Sequence, residues 1–273
     1  MGIIVRAGLL RLIVLSGIVN PLMPTPFMHL QIAEQICVEA QASHGRLHSL
    51  LQQQWPAFYL GSVAPDYQEV ADVPRRQTHF YGLPPEPDNM GYNALWEAYP
   101  ALTDVANLSP EQAMFVAGYS VHLLYDVIWL REVVDPYFFR AKDMGDRQQR
   151  MLIHFVLLTY LDKLALESLP ETAGQTLAAA HSEQWLPFAD NAHLQQWRAL
   201  LLPQLQPGAM SSTVAVYARR LGMTPAEFAA SLEDPDWMEA YVFGRLPVAE
   251  IQGILQAALP RSVDLLLDYF HLA

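Results

Sequence analysis

An all-α fold is predicted for this 273-residue chain, and three observations predict it. Leu, Ala and Gln abound, while Val and Ile rarely alternate with polar residues as a half-buried strand requires. Helix-start signals recur at Thr25-Pro26, Ser109-Pro110-Glu111-Gln112 and Thr224-Pro225-Ala226-Glu227. Hydrophobic residues make up 52% of the chain and charged ones 16%, enough apolar material for one large core. No internal repeat and no long linker divides the sequence, so a single multi-helix domain with irregular loops is expected.

Thr25 reads as an N-cap with Pro26 at the first helical position, opening a helix to about Ala42 with His29 in its first turn. A second helical stretch around Leu47–Leu60 stops at Gly61 and leads into Ala64-Pro65-Asp66. Residues 68–92 look irregular, because Pro74, Gly82, Pro84, Pro85, Pro87 and Gly91 punctuate them. His79 falls in that loop. Ser109 caps a long apolar helix that carries His122 and Asp126 and is expected to end before Pro136. Residues 146–168 form another helix with His154 and Asp162. Shorter helices follow Pro170, separated by Pro187, Pro203, Pro207-Gly208, Pro235 and Pro247.

Residues 1–22 stand apart as an apolar leader or a mis-assigned start. Their apolar run over Leu12–Val19 is too short to span a bilayer, and Val19-Asn20-Pro21-Leu22 is a poor cleavage site. Met23-Pro24-Thr25-Pro26 would make a natural start, so residues 23–273 are expected to form the domain. No transmembrane segment is expected. The lone Cys37 rules out an intrachain disulfide and a thiolate zinc cluster. It fits a cytoplasmic location; secretion is the alternative if residues 1–22 act as a signal.

With 28 acidic against 16 basic residues the net charge is −12, which repels long nucleic-acid backbones and argues against a basic binding groove. Any metal must be held by nitrogen and oxygen, and nine histidines supply the nitrogen. His122 and Asp126 are the most informative pair. Four positions apart on a helix, they share one face of an otherwise apolar segment. A buried charge there needs a partner or a metal. A His–Asp hydrogen bond inside the core is the alternative.

Other ligand-type residues stand at special places: His29 at a helix start, Asp66 after Pro65 at a turn, His79 in an aromatic loop. Four motifs follow one another in order: Pro26-Phe27-Met28-His29 with Ile32-Ala33, then Leu60-Gly61-Ser62-Val63-Ala64-Pro65-Asp66. Thr78-His79-Phe80 is the third, and Gly118-Tyr119 through His122 and Asp126 the fourth. Together they resemble the zinc-dependent phospholipase C family, related in fold to the single-strand-specific fungal nucleases. The resemblance covers about residues 23–130.

The resemblance implies an all-α hydrolase of phosphoric esters, in which metal-activated water attacks a phosphodiester. It implies His29, Asp66, His79, His122 and Asp126 as metal ligands, Asp66 also as the catalytic base, and Asp126 as a carboxylate able to bridge two ions. The implied substrate is a small phosphodiester or phospholipid head group. The chain departs from the family's three-zinc pattern. None of its six tryptophans lies near the start; Glu132 stands where a later histidine is expected; and Leu158, not an acid, follows His154 by four. One or two zinc ions are therefore expected, with Glu132, Asp135, His154 and Asp162 as second-shell groups or extra ligands. Manganese or iron suit the same donors.

Two non-catalytic alternatives remain: a silent relative with a structural metal, and an acidic helical protein-interaction module. Several residues are expected to be structural. Tyr81, Tyr119, Tyr125 and Trp129 read as core or rim aromatics, with a lipid or nucleobase pocket as the alternative. Arg75-Arg76 reads as a solvated loop pair, with phosphate contact as the alternative. His44 and His48 read as exposed surface, and His181, His193 and His271 have no evident partners.

Overall fold

Thr25 Oγ1 accepts a hydrogen bond from the Met28 backbone N–H at 3.4 Å and Pro26 takes the first helical position, so α1 runs Pro26–Ser43. The computed structural model describes residues 22–272, and the apolar run over 12–19 lies outside them. Among the described residues the chain is all helical, without a strand, and one hydrophobic core runs through it.

The stretch expected over 47–60 is two helices, α2 (Gly45–Gln53) and α3 (Trp55–Gly61). Pro56 explains the break: it has no N–H to continue the ladder, so it suits a first turn and not an interior. A 3₁₀ turn over Ala64–Glu69 follows and carries Asp66. His79 is not in an irregular loop. It closes a single helical turn, α4 (Arg76–His79), which ends where Phe80 turns left-handed at φ 61°. The rest of that region is irregular up to α5 (Tyr92–Ala98), and Arg131 ties it down by donating to the carbonyls of Glu86, Pro87 and Asn89.

Ser109 Oγ accepts from Gln112 N at 3.1 Å and starts α6 (Pro110–Trp129). Every residue of α6 from Ala113 onward is buried, because a helix apolar on all sides must be wrapped by others. Together with its continuation to Phe139 it is long and apolar enough to cross a membrane, but its most apolar window lies wholly inside the protein. The helix does not end before Pro136. It widens into a π-helical stretch over Leu130–Phe139, in which Arg140 N bonds Asp135 O, five residues back, at 2.9 Å. The wider turn accommodates a proline that an α-helix would not.

Asp146 caps α7 (Arg147–Ser168) through Gln149 N at 2.9 Å. Beyond it come α8 (Ala173–Ala179), α9 (Asn191–Leu201), α10 (Thr213–Leu221) and α11 (Pro225–Glu233), the last with the full Thr224–Glu227 capping box. Then follow α12 (Pro235–Met238), α13 (Val248–Ala257) and α14 (Leu259–Tyr269). Helix α1 packs against both α7 and α14, and α14 also packs on α6.

The closest approach in the fold is between α3 and α6. A Cβ on Gly61 would overlap the Phe115 carbonyl, and one on Gly118 would overlap the Phe58 carbonyl and stand 2.9 Å from Ser62 N. Only glycine lets two backbones meet this closely. The contact lays the Ser62 carbonyl against α6, one turn beyond Gly118. Gly118→Ala is expected to destabilise the protein by about 1–3 kcal/mol through overpacking. Gly253→Ala is the control: Gly253 lies inside α13 with nothing within 4 Å of a new Cβ, so it should stabilise by about 0.5–1 kcal/mol. Urea unfolding of both variants checks the pair, and equal effects would contradict the backbone contact.

Candidate metal centre

Asp126 sits on the fully buried face of α6 with 0% of its side chain exposed. Around its carboxylate stand three imidazoles, each delivered by a different element. His29 comes from the first turn of α1, with Nε2 3.3 Å from Oδ1. His79 comes from the end of α4, with Nε2 3.5 Å from Oδ2. His122 comes from α6 itself, with Nε2 3.6 Å from Oδ2. The His29 and His122 rings stack at 3.7 Å between centroids. Asp66, on the 3₁₀ turn, brings Oδ1 to 3.5 Å from His79 Nε2.

Two of the rings are set by their other nitrogen. His122 Nδ1 lies 2.9 Å from the Ser62 carbonyl, which can only accept, so Nδ1 carries the proton and Nε2 presents a lone pair. Thr78 donates its hydroxyl proton to Arg75 O at 3.0 Å and is thereby free to accept from His79 Nδ1 at 2.7 Å. His79 Nε2 is left as a second lone pair. Tyr119 holds that turn by donating to Thr78 O at 2.6 Å. Such outer hydrogen bonds fix tautomer and ring orientation in metal sites.

His29 Nε2, His79 Nε2, His122 Nε2 and Asp126 Oδ1 are buried and have no hydrogen-bond partner. Each orphaned polar atom costs about 1–3 kcal/mol. Four of them in one cluster form a donor set that suits a cation. The donors form two overlapping groups, His29–His122–Asp126 and Asp66–His79–His122, each with its atoms within 4.8 Å of one another. His122 belongs to both, but with Nδ1 committed to Ser62 it has one lone pair and serves one ion. The set is mixed nitrogen and oxygen at zinc-like spacing, so the residues fit zinc.

Electrostatics agree with a cation site. Burial, helped by the His122 charge, lowers His29 to about 4, and burial with the Arg75 charge holds His79 well below its usual range. Both rings are neutral at neutral pH, as ligands must be. Burial opposes charge on His122 too, but the Asp126 carboxylate outweighs it and raises the ring above its ordinary value, so a proton and a cation compete for Nε2. Asp126 itself is held well below the carboxylate range: burial would raise it, and His122 with the surrounding donors prevails. Burial raises Asp66 to about 7, with Asp126 adding to the rise and His122 opposing it.

A sequence model of the zinc-dependent phospholipase C family matches residues 28–202. The chain belongs to that family. No curated protein and no solved structure matches the chain. The zinc-dependent phospholipase C match holds all five residues of the cluster and continues through α7 and α9, well beyond residue 130. The family is zinc-dependent and its members are phospholipase C-like hydrolases.

The four residues expected as second-shell groups or extra ligands belong to neither donor group. Glu132 faces Arg261 at 3.7 Å and Asp135 pairs with Arg140 at 2.6 Å, both toward the surface. His154 lies among Trp129, Phe138 and Phe155, and burial lowers it to about 3. Asp162 accepts from Thr213 at 2.7 Å. His44 and His48 are half-buried and join neither group.

Three contributors were not expected. Tyr81 is buried as a core aromatic should be, but its hydroxyl donates to Asp126 Oδ2 at 2.8 Å. Arg75 is buried against the same oxygen at 2.5 Å, whereas Arg76 is the solvated residue of the pair, 76% exposed. Trp197, from α9, donates to Val63 O at 2.8 Å and so pins the turn that carries Asp66. A cavity of about 380 Å³ opens beside Asp66, lined by Phe27, Trp197, Leu201, Tyr217 and Arg219 among others.

Zinc added to the metal-free protein should raise its melting temperature by on the order of 10 °C at saturation, because only the folded state assembles the donors. His122→Ala should abolish that response and lower bound zinc on elemental analysis. An unchanged response would show that the ion binds elsewhere.

Proposed function

We propose that the protein hydrolyses phosphodiesters in the manner of a phospholipase C, with His29, His79, His122, Asp66 and Asp126 as the zinc-binding set. The observation that carries this reading is the shell of four buried, unpartnered ligand atoms in a chain of a zinc-dependent hydrolase family. Bound zinc would neutralise phosphoryl oxygens and bring the pKa of a coordinated water toward about 7.

The chain's own groups do the rest. Asp66 is the one carboxylate of the cluster that reaches an open cavity, with 17% of its side chain exposed. It is the group placed to take a proton from the attacking water. Asp126 is sealed from solvent and stays ionised, so it holds charge in place and moves no proton. The stacked His29 and His122 rings leave the ligand side of the site rigid. The apolar wall formed by Phe27, Leu201, Val216 and Tyr217 suits the organic side of a phosphodiester. A small phosphodiester and a phospholipid head group both meet these requirements.

Asp66→Asn keeps the size of the side chain and removes its basicity. It should lower kcat on a chromogenic phosphodiester and on phosphatidylcholine by about 10²–10⁴-fold, with zinc still held by the His29–His122–Asp126 group. Activity that survives unchanged would remove Asp66 from the role of base. Wild-type protein that holds zinc but cleaves neither substrate would favour the silent relative with a structural metal.

A further inference from the structure

Arg75 brings a full positive charge into the cluster through a side chain only 11% exposed. Its NH2 group bonds Asp126 Oδ2 and also the Tyr81 hydroxyl, and its guanidinium carbon stands 4.6 Å from the centroid of the Tyr81 ring. Tyr81 in turn donates to the same Oδ2. A carboxylate oxygen offers about two lone pairs, so Arg75 and Tyr81 together occupy Oδ2 and leave Oδ1, beside His29, as the free ligand atom of Asp126. The oxygen that could have bridged to a second ion is already neutralised from within the protein.

The other arm of the fork is unused. Arg75 NH1 is buried and has no acceptor among the described residues. Guanidinium groups bind carboxylate and phosphate oxygens with both arms, and a buried arm without an acceptor is costly. An anion brought to the same cluster would supply the acceptor that this arm lacks.

We propose that Arg75 is the phosphate-binding residue of this site: NH2 is locked on Asp126 in place of a second cation, and NH1 is kept for a phosphoryl oxygen. The proposal deepens the hydrolase reading and rests on it for the location of the substrate, but the anion contact can be measured without turnover. The chemistry recognised is a phosphoryl oxygen, whether on a lipid head group or on free phosphate.

The test uses the zinc-loaded full chain and compares wild type with Arg75→Lys and Arg75→Gln. Isothermal titration with inorganic phosphate, and separately with a short-chain, non-cleavable phosphonate analogue of phosphatidylcholine below its micelle concentration, reads the contact. Elemental analysis reads zinc, and thermal unfolding confirms that each variant is folded. Lysine keeps a charge on Asp126 but has a single nitrogen and cannot reach both partners. Arg75→Lys should therefore weaken binding by about tenfold or more while zinc content is unchanged, and Arg75→Gln should weaken it further. Loss confined to one of the two probes supports the proposal and assigns the source of the ligand.

Wild-type affinity for both probes in the folded Arg75→Lys protein would overturn the proposal, as would a zinc-loaded wild type that binds neither probe. Failure of the hydrolase reading looks different: it shows as absent zinc or absent turnover, not as an unchanged phosphate affinity.

Discussion

A carboxylate held out of water in the middle of the central helix governs the arrangement around it. An isolated ionised carboxylate in a core is too costly to persist, so Asp126 must be surrounded by donors or cations. The fold delivers them from four places in the chain: α1, the Arg75 corner with α4, the irregular backbone at Tyr81, and α6 itself. Each approach depends on a local device. Thr25 and Pro26 start α1 so that His29 lies in its first turn. Gly61 and Gly118 let α3 touch α6, which places the Ser62 carbonyl on His122. Trp197 clamps the turn that carries Asp66.

The helical framework was legible in the sequence wherever a local signal sufficed. Ser109, Thr25 and Thr224 each cap the helix that their sequence context announces, because capping is settled within four residues. The boundaries that went unread depended on proline in two opposite ways. Pro56 divides a helical stretch because it falls at the start of a turn, while Pro136 is absorbed because the helix around it widens. Nothing in either local sequence distinguishes the two outcomes.

The convergence of His29, Asp66, His79, His122 and Asp126 was legible because each lies in a motif with its own context. The supporting residues were not. Arg75 and Arg76 are adjacent and chemically identical, and only the geometry of the corner before α4 decides that one is buried on Asp126 and the other faces solvent. Tyr81 has the composition of any core aromatic; its role comes from where its hydroxyl ends. Trp197 acts across 134 positions of sequence, a separation that no local pattern encodes. Conversely, Glu132 and Asp135 lie just past the ligand pair in sequence but on a widened, outward-facing stretch, where each finds an arginine instead.

The proposed function requires that the orphaned lone pairs around Asp126 form the inner shell of a zinc ion. X-ray absorption at the zinc edge on the reconstituted protein reads that shell directly. The account predicts a first shell of nitrogen and oxygen only, at about 2.0–2.2 Å, with the outer-shell scattering of at least two imidazoles. A sulfur contribution from Cys37, or a shell of oxygen without imidazole, would contradict it.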